Sequence, residues 1–215
     1  MKINQTTKIT GDKVILVPYR KHHVLKYHDW MSLPEIKKLT ASEPLTIEEE
    51  YQMQSNWQLD EDKLTFIVLR RDLYESFKSD EDNTGKEIFS MIGDVNVFIS
   101  EEDDDERDRF KKSAELEIMI PDVSNRGHGY GTESVNLMID YCVKNIDNIS
   151  DFIVKINEEN VASIKMFEKL GFIKYKYVKV FQEQCLKLKV NEDMKLNLGE
   201  KRDDNFLRKY DLNYV

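Results

Sequence analysis

The sequence predicts an α/β (α+β) fold, as one domain over residues 1–190 followed by a polar tail over 191–215. Three observations carry this. Short β-branched runs alternate along the chain with segments of helical period. Forty per cent hydrophobic residues in a chain of 215 is ample for one buried core. Three of only eight glycines, Gly127, Gly129 and Gly131, crowd into "RGHGYGT", between a strand pattern and a helix pattern.

"KVILVPYR" is a β-branched run closed by a proline, a strand of about five residues. In "KHHVLKYHDWMSLPEIKKLT", Val24, Tyr27, Trp30 and Met31 fall at helical spacing, and the pattern breaks at Pro34. "TIEEEYQMQSNWQ" is a second helix: Thr46 and Glu49 have capping-box spacing, with Ile47, Tyr51 and Gln54 along one side. "KLTFIVLR" and "SMIGDVNVFIS" are strands, and the charge and Gly85 of "RDLYESFKSDEDNTGKE" predict a flexible connection between them. The charged run "EEDDDERDRFKKS" reads as a solvated hairpin loop, and "AELEIMIPD" resumes the strand pattern up to Pro121. Val135, Met138, Ile139 and Cys142 then mark an amphipathic helix. "DFIVKI" is a strand. "NVASIKMFEKLGF" is a helix capped by Asn160 and stopped by Gly171, and "KYVKVFQEQCLKLKV" supplies a closing strand pair.

Composition narrows the function classes. Cys142 and Cys185 sit in apolar-periodic segments without metal-ligand spacing, as buried thiols of a reducing compartment do. His22, His23, His28 and His128 likewise show no metal spacing, so no metal is expected. The start "MKINQTTKIT" lacks a signal-peptide core, and no apolar run approaches the roughly 20 residues of a membrane span. A soluble, cytoplasmic protein without a membrane partner is expected. A net charge of −9 argues against nucleic acid and favours cationic partners.

A strand, a glycine-rich turn and a helix N-terminus form an anion site, because the first-turn amides are unpaired and the helix dipole adds roughly half a positive charge. The dinucleotide fingerprint fails, since its third glycine falls on Thr132, and there is no lysine for a Walker A loop. Read as R-x-x-G-x-G over Arg126, Gly129 and Gly131, the loop resembles the acyl-CoA pyrophosphate loop of the Gcn5-related N-acetyltransferase (GNAT) superfamily. "NVASIKMFEKLGF" resembles that superfamily's Asn-x-x-Ser helix ending in Leu-Gly-Phe. "GDKVILVPYRKHHVLKYHDWM" and "SMIGDVNVFI" resemble the ribosomal-protein acetyltransferase type, and "YHDWM", "LTASEPLTIEEEYQMQ", "TFIVL" and "IGDVNVF" its N-acetyltransferase 9-like branch. The resemblance covers residues 1–190.

It implies a mixed central sheet of six to seven strands with helices on both faces, and transfer of acetyl from acetyl-CoA to an amine. It also implies the roles of individual residues. Backbone amides over Arg126, Gly127, His128, Gly129, Tyr130 and Gly131, with Thr132 nearby, would hold the CoA pyrophosphate. The backbone of Ile118, Met119 and Ile120 would pair with the pantetheine arm as an added strand. Asn160 would bond the pantetheine or a water, or simply cap its helix, and Ser163 would lie one turn on.

Period two puts Glu115, Glu117 and Met119 on one face of their strand. Two adjacent carboxylates can raise each other's pKa toward that of a base able to deprotonate an amine. Glu115 matches the base position of histone-type relatives and is the first candidate, with Glu117 the second; an outward polar face is the bland alternative. Many relatives carry a tyrosine acid where this chain has Phe167, which leaves Tyr175, Tyr177 or water to protonate the thiolate, a thiolate that departs without a dedicated acid, or weak catalysis. The branch is associated with acetylating protein N-termini, α- and β-tubulin among them. A non-catalytic CoA-binding interaction protein and a polyamine acetyltransferase stay open as alternatives.

Overall fold

The computed structural model describes residues 2–40, 43–78, 82–102, 111–191, 194 and 207–209. The β-branched runs become strands. β1 (Thr7–Thr10) and β2 (Val14–Pro18) form a hairpin in which Ile9 faces Leu16. The first helical segment divides in two: α1 (Val24–Met31) ends before Pro34, and Pro34 opens α2 (Pro34–Thr40). Proline suits a first turn because it lacks an N–H that would have no partner there. α3 (Ile47–Leu59) starts on the expected capping box, the Thr46 amide donating to Glu49 Oε2 at 2.7 Å and the Glu49 amide to Thr46 Oγ1 at 3.3 Å.

β3 (Lys63–Arg70) is followed not by a flexible connection but by α4 (Arg71–Ser76) and α5 (Asn83–Ser90). An Arg71–Glu75 ion pair of 2.7 Å supports the first of these. Asp82 caps the second by accepting the Gly85 amide at 2.7 Å, and Phe77 meets Phe89 at 5.6 Å between ring centroids. Local capping and one aromatic pair outweigh the charge that suggested a loop. β4 (Met91–Glu102) and β5 (Lys111–Met119) form a hairpin, while the charged loop between them lies outside the described residues. α6 (Tyr130–Asn145), β6 (Ile149–Asn157), α7 (Val161–Lys169), β7 (Ile173–Val178) and β8 (Glu183–Lys189) follow as the patterns indicate. Gly171, at φ 91°, ends α7 as expected, with the Phe172 amide donating to Phe167 O at 3.0 Å.

The sheet has nine strands in the order β7-β8-β6-β5-β4-β3-β2-β1-β9. Two more than the expected six to seven come from β1 and from β9 (Leu207–Lys209), a short piece of the polar tail paired antiparallel to β1. The rest of that tail lies almost wholly outside the described residues. Every pairing is antiparallel except β5 with β6, which α6 connects, so the sheet is mixed. No helix among the described residues is long and apolar enough to cross a membrane.

Helices cover both faces. On one, α6 and α7 pack against Leu16, Phe66, Val97, Leu116, Phe152 and Val154. On the other, α1 and α3 pack against Ile15, Val17, Ile67 and Leu69, and this second core ends at Met119. Cys142 and Cys185 are buried free thiols, both raised in pKa by burial first.

At Gly93, β4 and β5 leave no room for a side chain: a Cβ there would lie 2.1 Å from the Met119 carbonyl oxygen. Gly93→Ala forces β4 away from β5 and is expected to cost about 1–3 kcal/mol. A urea midpoint equal to wild type would show that the two strands separate freely at this point.

Candidate active site

Along their shared edge, β5 and β6 pair from Lys112↔Ile149 to Glu115↔Ile153 and no further. β5 continues to Met119 and β6 to Asn157, each still bonded to its outer neighbour, β4 or β8. The two strands therefore part after Glu115, leaving the backbone of Leu116–Met119 unpaired toward β6. Such an edge offers donors and acceptors to an extended ligand, as an exposed edge does to an added strand.

The glycine loop closes the end of this wedge. Gly127 (φ 80°) and Gly129 (φ 87°) take left-handed conformations that side-chain-bearing residues rarely adopt, and Gly129 is the N-cap of α6. Among the described residues, the amides of Gly127 through Thr132 find no backbone acceptor, and they crowd at the positive end of a 16-residue helix. A Cβ on Gly131 would meet Met166 Sδ at 3.5 Å and Ile118 Cγ1 at 3.8 Å. The loop, α7 and β5 thus converge, which brings the candidates from all three segments together.

On the opposite face of β5, Glu115 and Glu117 look into an open region. Glu115 is ion-paired to Lys155 Nζ at 2.7 Å. The Glu117 carboxylate makes no hydrogen bond among the described residues. Its side chain is exposed, yet protein surrounds it, as at the floor of a depression, so loss of hydration raises its pKa. Lys63 opposes that rise and Glu115 adds to it. Water still reaches the group.

Beside Glu117 the sheet presents Asn96, its register partner, and then Asp94. Asp94 is 1% exposed, accepts from Asn96 Nδ2 at 2.6 Å, and is pushed up to about 7 mainly by burial. Lys63, 3% exposed, lies 3.1 Å above the Trp57 ring and 4.0 Å from that of Phe98, and burial lowers it to about 8. Carboxylates raised and an amine lowered toward neutrality, beside a ligand-ready edge, are the electrostatics of proton transfer.

The chain has known relatives. The acetyltransferase (GNAT) domain family matches residues 13–173. The chain belongs to the GNAT acetyltransferase family. An N-acetyltransferase 9-like protein of Caenorhabditis briggsae is 44% identical over 189 residues, 87% of this chain and 88% of that protein. The alpha/beta-tubulin-N-acetyltransferase 9 of Homo sapiens is 42% identical over 193 residues, 89% of this chain and 87% of that one. The crystal structure of spermidine N-acetyltransferase from Vibrio cholerae in complex with CoA and spermine superposes with a TM-score of 0.65 over 87% of this chain and 100% of that one. At 18% identity it speaks for the fold alone. The GNAT chain described here is thus an acetyl-transferring enzyme.

Within this GNAT site one expectation needs correction, and Asn160 takes the capping role left open for it. The Arg126 amide is not available to a phosphate, because it donates to Val123 O at 3.0 Å. Its guanidinium donates to the carbonyls of Ile120 (2.9 Å) and Pro121 (2.8 Å) and to Glu35 of α2 (2.7 Å), so Arg126 braces the loop against the end of β5. Asn160 is a helix cap, its Oδ1 accepting the Ser163 amide at 3.2 Å, which leaves Nδ2 and the Ser163 hydroxyl for a ligand. Phe167 is 2% exposed and packs edge-on to Phe172 at 5.1 Å. Of the alternative acids, Tyr177 donates to Glu158 at 2.8 Å, while the Tyr175 ring has Lys187 Nζ 5.1 Å from its centroid.

The sequence reading missed Lys13, Lys63, Asp94 and Asn96. Lys13 Nζ donates to His128 O at 3.0 Å and stands 3.0 Å from where a Gly129 Cβ would be, a cation at the cradle's rim. Nothing in "GDKVIL" marks it. Asp94 and Asn96 do carry a signal: alternate polar residues in an apolar strand imply one polar face.

His22, His23 and Glu87 also gather into a cluster. Both Nε2 atoms lie near Glu87 Oε2, at 2.7 and 3.1 Å, although the histidine spacing alone suggested no cluster. The Arg20 amide donates to His23 Nδ1 at 3.1 Å, so His23 Nε2 holds the ring proton and gives it to Glu87. Ligating a metal through Nε2 would cost that arrangement. Full burial lowers His23 to about 4, so the folded protein holds it neutral while the unfolded chain protonates below about 6.5. Stability present above pH 6.5 is therefore lost on going down toward 4, by about 3 kcal/mol if uncompensated. Thermal melts across pH 4–7 are expected to steepen in this window and to flatten in His23→Gln.

Proposed function

We propose that this enzyme acetylates the α-amino group of protein N-termini in the cytoplasm, with tubulin the candidate acceptor, and that Glu117 is its general base. The observation that carries this reading is the parting of β5 and β6 just beyond Glu115. It supports a course for acetyl-CoA in which the backbone of Ile118, Met119 and Ile120 pairs with the pantetheine arm. The free amides of Gly127–Thr132 then take the pyrophosphate, with Lys13 as counter-charge and Asn160 Nδ2 and Ser163 Oγ on the α7 side. The thioester would lie beside the face that carries Glu117.

An N-terminal ammonium must lose a proton before its lone pair can attack the thioester carbonyl. Glu117 suits that step better than Glu115, because Lys155 already neutralises Glu115 whereas Glu117 has no hydrogen-bond partner and a raised pKa. With Phe167 buried and without a proton, the departing thiolate takes one from water or from the protonated base. The tubulin assignment draws on the names of relatives such as the human protein.

A polyamine acceptor is the second reading, favoured by the three carboxylates Glu115, Glu117 and Asp94 on one face. CoA release with a tubulin N-terminal peptide, the same peptide N-acetylated, and spermidine separates the two. Release with the free peptide alone supports the N-terminal reading; release with spermidine alone overturns it.

A further inference from the structure

Between the sheet and α1 and α3 lies a layer of buried polar atoms that the acetyl-transfer chemistry above does not use. Six atoms there have no hydrogen-bond partner among the described residues: Asp94 Oδ1, Asn96 Oδ1, Thr65 Oγ1, the Tyr19 hydroxyl, Glu50 Oε2 and His28 Nδ1. Buried polar groups are rarely left unsatisfied, and clusters of them hold ordered water. An apolar core would be the expected filling beneath two amphipathic helices.

Its groups also lie close together. Asp94 and Asn96 share the sheet face of Glu117, and Asn96 Nδ2 donates to Asp94. Tyr27 and Tyr19 belong to the buried cluster on this face, their rings 5.1 Å apart. α3 reaches Tyr19 through Gln54, whose Nε2 donates to the Tyr19 carbonyl at 3.0 Å. Glu50, 2% exposed, stands 3.6 Å from His28 Nδ1, and the His28 side chain is 29% exposed. Proton-exchanging groups therefore stand at intervals between the base and the surface.

Atom balance gives such a path a task. An ammonium and an acetyl thioester become an amide and a thiol: the nitrogen sheds two protons, the N–C bond forms, the C–S bond breaks, and sulfur takes one proton. One proton is left over in every turnover. It must leave a reaction centre that acetyl-CoA covers on one side and the acceptor on the other.

We propose that a hydrated conduit from Glu117 through Asp94, Tyr27, Tyr19 and Glu50 to His28 carries this surplus proton to bulk water. The inference rests on Glu117 as the base, and the raised pKa of Asp94 and Glu50 suits groups that hold a proton briefly.

The test is stopped-flow single turnover of the full chain, with acetyl-CoA and the peptide acceptor (spermidine if only that turns over). Thiol formation and proton release are followed together, the latter with a pH indicator in weak buffer. In wild type the two traces coincide. In Glu50→Gln, and independently in His28→Ala at the partly exposed end, thiol forms at the wild-type rate while proton release lags by about tenfold or more, and added imidazole closes the gap. Coincident traces in both variants, or a lag that imidazole leaves unchanged, overturn the conduit. Wild-type thiol formation in Glu117→Gln would instead overturn the base assignment on which it rests.

Discussion

Glu117→Gln is expected to lower kcat about 10²-fold to 10³-fold, the usual worth of a positioned base. The substitution keeps the shape and an acceptor oxygen but cannot take a proton. The KM for acetyl-CoA should hold, because the proposed cofactor contacts are made by the β5 backbone and the glycine loop. Glu115→Gln is the control. It removes a like charge that helps to raise Glu117, so the acidic limb of kcat/KM should move to lower pH. Lys63→Met removes the cation that favours ionised Glu117, so the limb should move to higher pH. The base works deprotonated, so in every active variant activity rises with pH through this limb and then levels. If Glu115→Gln rather than Glu117→Gln abolishes turnover, the base is Glu115 and its ion pair with Lys155 must open during catalysis.

The two carboxylates also show how far a sequence can be read. Strand periodicity alone puts Glu115 and Glu117 on one face, and the register with Phe98 and Asn96 bears that out. It cannot rank them, because the ranking depends on Lys155, 40 residues away on β6, and on Lys63 on β3. Lys63 occupies a strand position that pattern reading assigns simply to the start of an apolar run. Only the packing of α3 reveals that its ammonium lies against the Trp57 ring.

The fold was legible wherever a local rule was strong. Thr46 and Glu49, Asn160 and Gly171 each mark a helix end through bonds made within a few residues. It was illegible where partners are remote. β1 has Ile9 as its one buried apolar residue and exists because β2 pairs with it. β9 forms on β1 from a stretch far along the chain. The parting of β5 from β6 leaves no trace in either strand's composition, since both run on as good strands after they separate. That separation, which carries the functional reading, is a property of the sheet and not of any segment.

Gly129→Val is expected to weaken acetyl-CoA binding about 10²-fold, with a smaller loss of folding stability. A β-branched residue at φ 87° is strained by roughly 1–2 kcal/mol or more, and the chain relieves the strain by rotating the peptide units on either side. Those units present the Gly129 and Tyr130 amides to the proposed pyrophosphate position, and hydrogen bonds to a charged group contribute about 1.5–3 kcal/mol each. Gly131→Ala is the matched control within the same loop. Its new methyl would meet Met166 Sδ and Ile118 Cγ1 at ordinary contact distance, facing the protein rather than the anion. Titration calorimetry with CoA should therefore separate the pair, Gly131→Ala staying within about threefold of wild type, an energy difference below about 1 kcal/mol. Equal affinity in Gly129→Val would mean that the left-handed turn serves only to start α6, and that the phosphates are held elsewhere, with Lys13 the next residue to replace.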